Sequence, residues 1–218
     1  ILSWAEEDLL EWIDPDIRDT SKRDYKWLES LWRRNQYVSG SDRSVAKLFS
    51  LSAVLPQFLD KFPDSNSKIL YVIRDPLSVI PSGLSLVTGV LDKRFGFWNL
   101  PTEKRQRFIN RLYHGLIYLL LRFQKDWTNG RIDKSRVFII HYDRIMTDFD
   151  NLMNEVLEFI NHVPSENLKK DILETAEKQR NFQSSHEYDL EKFGLYAEQI
   201  KSDCAPVYAT FLNTTPGS

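Results

Sequence analysis

The sequence places Arg74, Asp75 and Pro76 in a row directly after the apolar run Ile69-Leu70-Tyr71-Val72-Ile73, and Ser82 eight positions after the arginine. Arginine carries a planar, permanently charged donor fork that suits a phosphate or sulfate. Asp75 precedes a proline, which pushes it toward extended geometry. Aspartate is a favoured N-cap and proline a favoured first helical residue, so a helix is predicted to begin at Pro76. The free N–H groups of that helix favour an anion nearby. Ser82 falls about two turns into the helix and offers a second donor. Pro81 inside it removes one backbone bond and kinks the axis, which re-aims the Ser82 hydroxyl. The plainer alternative is a salt-bridged helix start that holds no ligand.

Such residues need elements to carry them. Three runs read as strands: Arg43-Ser44-Val45-Ala46-Lys47, Lys68 to Arg74, and Arg136 to Tyr142. The last two are almost continuously apolar, as expected for parallel strands covered on both faces. Helical stripes separate them. Val54, Leu55, Phe58, Leu59 and Phe62 form one stripe, stopped by Pro63. Phe108, Leu112, Leu116, Leu119, Leu120 and Phe123 form a long one, closed by the stop signal Thr128-Asn129-Gly130. Leu152, Val156, Leu157 and Ile160 form a third. Residues 1–42 read as a helical pair, with Trp4, Leu9, Leu10, Trp12 and Ile13 on the first stripe and Tyr25, Leu28, Leu31 and Trp32 on the second. Residues 43–160 form the α/β core, and residues 161–218 are helical again around a loop. The alternation predicts an α/β fold with a parallel sheet. Arg74 then sits at the carboxyl end of a central strand, the edge beyond which open α/β sheets bind ligands. Lys47 ends the first strand on that edge, as a second cation for the ligand or as a solvated strand-end lysine.

Composition bounds the partners. The chain has 218 residues, 42% hydrophobic and 28% charged, which suits one globular domain. Its net charge of -2 gives no global bias toward nucleic acid. Cys204 is the sole cysteine, so neither an intrachain disulfide nor a multi-cysteine metal site is available. The longest apolar stretch, Leu116 to Leu121, is too short to span a bilayer.

The Arg74/Ser82 pair after its strand resembles the 3′-phosphate motif of sulfotransferases that use 3′-phosphoadenosine 5′-phosphosulfate, PAPS. Phe62-Pro63-Asp64 resembles the lead-in to that strand in bacterial and carbohydrate-type branches. Val137 to Tyr142 followed by Asp143-Arg144-Ile145 looks like a later strand and turn, with Asp143-Arg144-Ile145 departing from the usual letters. Ser185-His186-Glu187-Tyr188 and Phe193-Gly194-Leu195 resemble a C-terminal segment that approaches the cofactor. Gln36 to Gly40 also matches. The likeness spans roughly residues 25–210. It implies a three-layer, P-loop-like α/β fold with a central parallel sheet flanked by helices, and a single domain over residues 1–218. The family's phosphosulfate loop, of the Gly-x-x-Arg-Ser-Gly-Thr kind, is not found here. Ser39-Gly40-Ser41-Asp42-Arg43-Ser44 has similar letters but precedes a strand. The expectation is that the N-terminal segment is absent from this chain.

The resemblance implies transfer of a sulfuryl group from PAPS to a hydroxyl or amine, releasing PAP (3′-phosphoadenosine 5′-phosphate), without a metal. Arg74 and Ser82 would hold the 3′-phosphate, with Lys47 and Ser185 as further cofactor contacts. For a general base, His186 is the candidate from the resemblance, while His114, His141 and a carboxylate in the N-terminal segment expected to be absent are open alternatives. Tyr142 and Asp143 are expected to brace the strand end. Phe95, Phe97 and Trp98 either line an acceptor pocket or, by preference, pack on the core. The acceptor is a small-molecule, lipid-linked or carbohydrate alcohol, with no nucleic-acid partner, and the cytoplasm is favoured over the Golgi lumen. Two rivals stand beside this reading: a kinase on a similar sheet, and a non-catalytic binding module built on a sulfotransferase-like remnant.

Overall fold

The computed structural model describes residues 14–41, 43–64, 67–182 and 189–212. The chain enters with helix α1 (Ser21–Ser39), then a 3-10 turn at Phe49–Ala53 and helix α2 (Leu55–Lys61). Strand β1 (Ile69–Ile73) follows, then helices α3 (Pro76–Phe95) and α4 (Thr102–Thr128). Strand β2 (Val137–His141) passes directly into α5 (Tyr142–Thr147), α6 (Phe149–Phe159) and α7 (Glu166–Arg180). Helix α8 (Ala197–Asp203) and two short turns, Ala205–Val207 and the π-helical Tyr208–Leu212, close the described chain.

β1 and β2 pair in parallel, from Ile69 against Val137 to Ile73 against His141. They are the second and third strands expected from the sequence. The first is corrected. Residues 43–48 adopt no regular structure, and Val45 is 102% exposed. The run holds only Val45 and Ala46 as apolar residues between Arg43, Ser44 and Lys47, too little to anchor a strand by burial. The described sheet therefore has two strands, and helices dominate the fold. Cover on both faces is also corrected for β1, because Leu70 and Val72 are 44% and 48% exposed.

Helix α4 is the spine of the core. It is about 40 Å long at ordinary helical rise. It buries Phe108, Ile109, Tyr113, Leu116, Ile117 and Phe123. Tyr71 of β1 stacks flat on Phe123, with ring centroids 3.5 Å apart. Helix α3 approaches closely at Gly83, where a Cβ would meet Leu116 Cδ1 at 2.9 Å. α4 ends where the stop signal predicts, with Gly130 at φ +70°. α2 buries Leu55, Phe58 and Leu59, and α1 lays Tyr25, Leu28 and Trp32 against them. The first half of the expected helical pair lies outside the described residues. Phe97 is fully buried and Trp98 packs beside it, the core role preferred for that loop, but Phe95 is corrected: it is 57% exposed.

Two buried arginines lock this frame. Arg136, 6% exposed, donates to the carbonyls of Leu59, Phe62 and Ser67. Two of these lie at the end of α2, where a cation also meets the negative end of the helix dipole. The contact fixes the start of β2 against the segment that leads into β1. Arg122, 3% exposed, is held by Asp126 at 2.9 Å and Asp16 at 2.8 Å. Asp126 also takes Arg131, at 3.1 Å.

Arg136→Met should destabilise the fold by about 3 kcal/mol in urea denaturation, because three carbonyls lose a charged donor. Gly89 should behave oppositely: it is exposed in α3, and a Cβ added to it would meet nothing within 4 Å. Gly89→Ala should raise stability by about 0.5–1 kcal/mol in the same assay.

Candidate functional site

The parallel register carries the two strand ends to the same edge. Ile73 lies opposite His141, so the next residues, Arg74 and Tyr142, are neighbours in space. The Arg74 guanidinium stands over the Tyr142 ring, 4.2 Å from its centroid. It makes no hydrogen bond or ion pair among the described residues. Five N–H donors are thus oriented by an aromatic face and left without an acceptor there.

A cleft of about 240 Å³ opens at this edge, lined by Ile73, Arg74, Asp75, His141, Tyr142, Asp143, Tyr208 and Leu212. Its lining carries one permanent cation, Arg74, and two carboxylates, Asp75 and Asp143. An anion is favoured there only to the extent that the carboxylates are engaged elsewhere. Asp75 is engaged. It caps α3 by accepting from the Leu77 N–H at 2.8 Å, and the same oxygen accepts from the Tyr208 hydroxyl.

This capping corrects one expectation. The start of α3 has no free amides for an anion. Pro76 has none to give, Leu77 is taken by the Asp75 side chain, and Ser78 and Val79 donate to the Asp75 carbonyl at 2.8 and 3.0 Å. Anion affinity at this edge therefore rests on side chains. The helix does begin at Pro76 as predicted, and it runs through Pro81, which is buried.

The remaining predicted residues separate. Ser82 is half-buried in α3, outside the lining of the cleft, and its hydroxyl has no partner among the described residues. Lys47 lies in the irregular 43–48 stretch, exposed, and does not line the cleft. Ser185 and His186 lie outside the described residues. His114 is exposed on α4 against the edge of Tyr113, away from the cleft lining. His141 lines the cleft itself. Asp143 also lines it, while Arg144 turns away to bind Asp148 at 2.9 Å and Glu155 at 2.6 Å. Those bonds tie α5 to α6 and hold both carboxyls below their usual range, through Arg144 first. Among the described residues, no three His, Cys, Asp or Glu side chains gather to hold a metal ion. No described helix is long and apolar enough to cross a membrane.

Tyr208 is the residue that sequence reading missed. It lies 133 positions from Asp75 in a short segment with no motif, and its only local cue is a tyrosine among the apolar residues Val207 and Phe211. Beneath it sits Cys204, fully buried, whose thiol is pushed up to about 11 by burial first and by Asp203 and Asp75 next. Iodoacetamide at pH 8 should therefore alkylate Cys204 about two orders of magnitude more slowly in the folded chain than in urea. Equal rates would remove the buried position given to this segment.

The sulfotransferase domain family matches residues 5–204. A 3-beta-hydroxysteroid sulfotransferase of Cavia porcellus is 20% identical over 196 residues, covering 84% of this chain and 64% of the relative. Sulfotransferase 2A1 of Homo sapiens is 22% identical over 201 residues, with 85% and 65% covered. The chain thus spans slightly less than two thirds of either relative. No solved structure gives a significant match.

Proposed function

The chain belongs to the sulfotransferase family, and from that premise we propose that it serves transfer of a sulfuryl group from PAPS to an alcohol or amine, with the cleft at Arg74 as the seat of the 3′-phosphate. The observation that carries this reading is the Arg74 guanidinium, held on Tyr142 at a strand end and lacking an acceptor among the described residues. An arginine in such a state is a donor set prepared for an anion. Ser82, unpartnered among the described residues on the following helix, is proposed as the second donor.

The fit is partial. Nucleotide-sized ligands occupy pockets of about 300–1,000 Å³. A cleft of about 240 Å³ accommodates a phosphate and part of a sugar. Lys47 and Ser185 remain the proposed further cofactor contacts, and His186 a candidate base. PAPS when bound supplies the activated sulfuryl group. The chain's own task is to fix the nucleotide at its 3′ end, so that the acceptor is met in one orientation; positioning of this kind is a large part of group-transfer catalysis. His141, in the same cleft, is the proposed proton-handling group among the described residues. A steroid is the acceptor class named for one relative, and a small-molecule alcohol is proposed here.

Calorimetric titration without metal tests the assignment. PAP should bind and ATP should bind more weakly, and Arg74→Ala should abolish PAP binding while leaving the thermal transition in place. Ser82→Ala should cost about 1 kcal/mol, one hydrogen bond. Unchanged PAP affinity in Arg74→Ala would overturn the reading.

A further inference from the structure

The cleft contains a competitor for Arg74. Asp75 is its neighbour in the chain and lines the same cavity, and a carboxylate is the partner a guanidinium ordinarily takes. The two form no ion pair. We propose that Tyr208 is a positioning residue: its hydroxyl holds the Asp75 carboxylate away from Arg74 and so keeps the guanidinium open to an anion. The inference rests on the reading of this cleft as a 3′-phosphate site.

Three observations carry it. First, one Asp75 oxygen, Oδ1, receives both the Leu77 N–H and the Tyr208 O–H, so the carboxylate is directed to the start of α3. Second, Tyr208 is delivered by packing. It follows Val207, fully buried, and precedes Phe211, 5% exposed, on a π-helical turn seated in the core against α4. The phenol is therefore held in place by side chains that do not depend on Asp75. Third, Arg74 stands over the other tyrosine of the lining, Tyr142. The cleft's two tyrosines thus divide an adjacent Arg–Asp pair between them. Burial first, and the hydrogen bond to Asp75 next, raise the Tyr208 hydroxyl's pKa, so it remains a donor throughout the physiological range.

The alternative arrangement is chemically available. Without the phenol oxygen, Asp75 loses one of its two donors, and the guanidinium on the adjoining residue can replace it. Such a pair would have to be broken before a phosphate could bind. It would also place a negative charge beside the incoming anion.

The experiment is a double-mutant cycle read by calorimetric titration of PAP, with a thermal melt for each variant. The four proteins are the parent chain, Tyr208→Phe, Asp75→Asn and the double variant. Asparagine keeps the α3 cap while removing the charge. Tyr208→Phe should weaken PAP about tenfold when Asp75 is present and less than about twofold in the Asp75→Asn background. Equal weakening in both backgrounds would mean that Tyr208 only supports the fold, and would overturn the inference. So would an unchanged affinity for Tyr208→Phe when Asp75 is present. Arg74→Ala separates the two levels. If it abolishes binding while Tyr208→Phe is silent, the inference alone falls. If it binds as the parent does, or the parent does not bind PAP, the phosphate reading falls and the inference with it.

Discussion

The unstaggered parallel pairing of β1 with β2 is the constraint on which the site depends. Parallel strands run their carboxyl ends to one edge, and the register from Ile69–Val137 to Ile73–His141 leaves neither strand ahead of the other. Arg74 and Tyr142 are then the first residues past the last paired rung, and they meet as guanidinium over ring. A slip of one residue would reverse the facing of every side chain on one strand. Register is protected on both sides. Arg136 pins the start of β2 to the carbonyls before β1, and Tyr71 stacks on the spine helix at Phe123.

The arginines of this protein show how position converts one chemistry into two roles. Arg136 is buried and satisfied by backbone carbonyls, and Arg122 is buried and satisfied by Asp16 and Asp126. Buried charges left without such partners would cost several kcal/mol each, so these two are structural. Arg74 has the same donor fork at a strand end open to a cleft, with an aromatic face beneath it and no acceptor among the described residues. Its availability depends on where the neighbouring carboxylate goes. Asp75 goes to the helix cap and to Tyr208. The capping that starts α3 thereby engages this carboxylate, while removing the backbone amides as a source of anion affinity.

Legibility followed the range of the interactions. The helices at 55–61, 102–128 and 149–159 were readable because each buries a stripe at helical spacing and ends on a local stop signal. The strand at 69–73 and the turn after it were readable because apolar continuity, a pre-proline aspartate and an N1 proline all act within a few residues. The run at 43–47 failed as a strand because strand formation needs a partner edge, and nothing local to Val45 reveals whether one exists.

The sequence by itself determined the Arg74-Asp75-Pro76 turn, the helix that begins on it and the family to which the chain belongs. These are consequences of local backbone chemistry and motif order. Only the tertiary structure decided which groups surround Arg74. Tyr142 reaches it through strand register, 68 positions away in the chain, and Tyr208 reaches Asp75 through the packing of a C-terminal turn. Ser82 and Lys47, equally visible in sequence, stand outside the cleft lining. Local rules say which groups a turn contains. Long-range packing says which of their possible partners they keep.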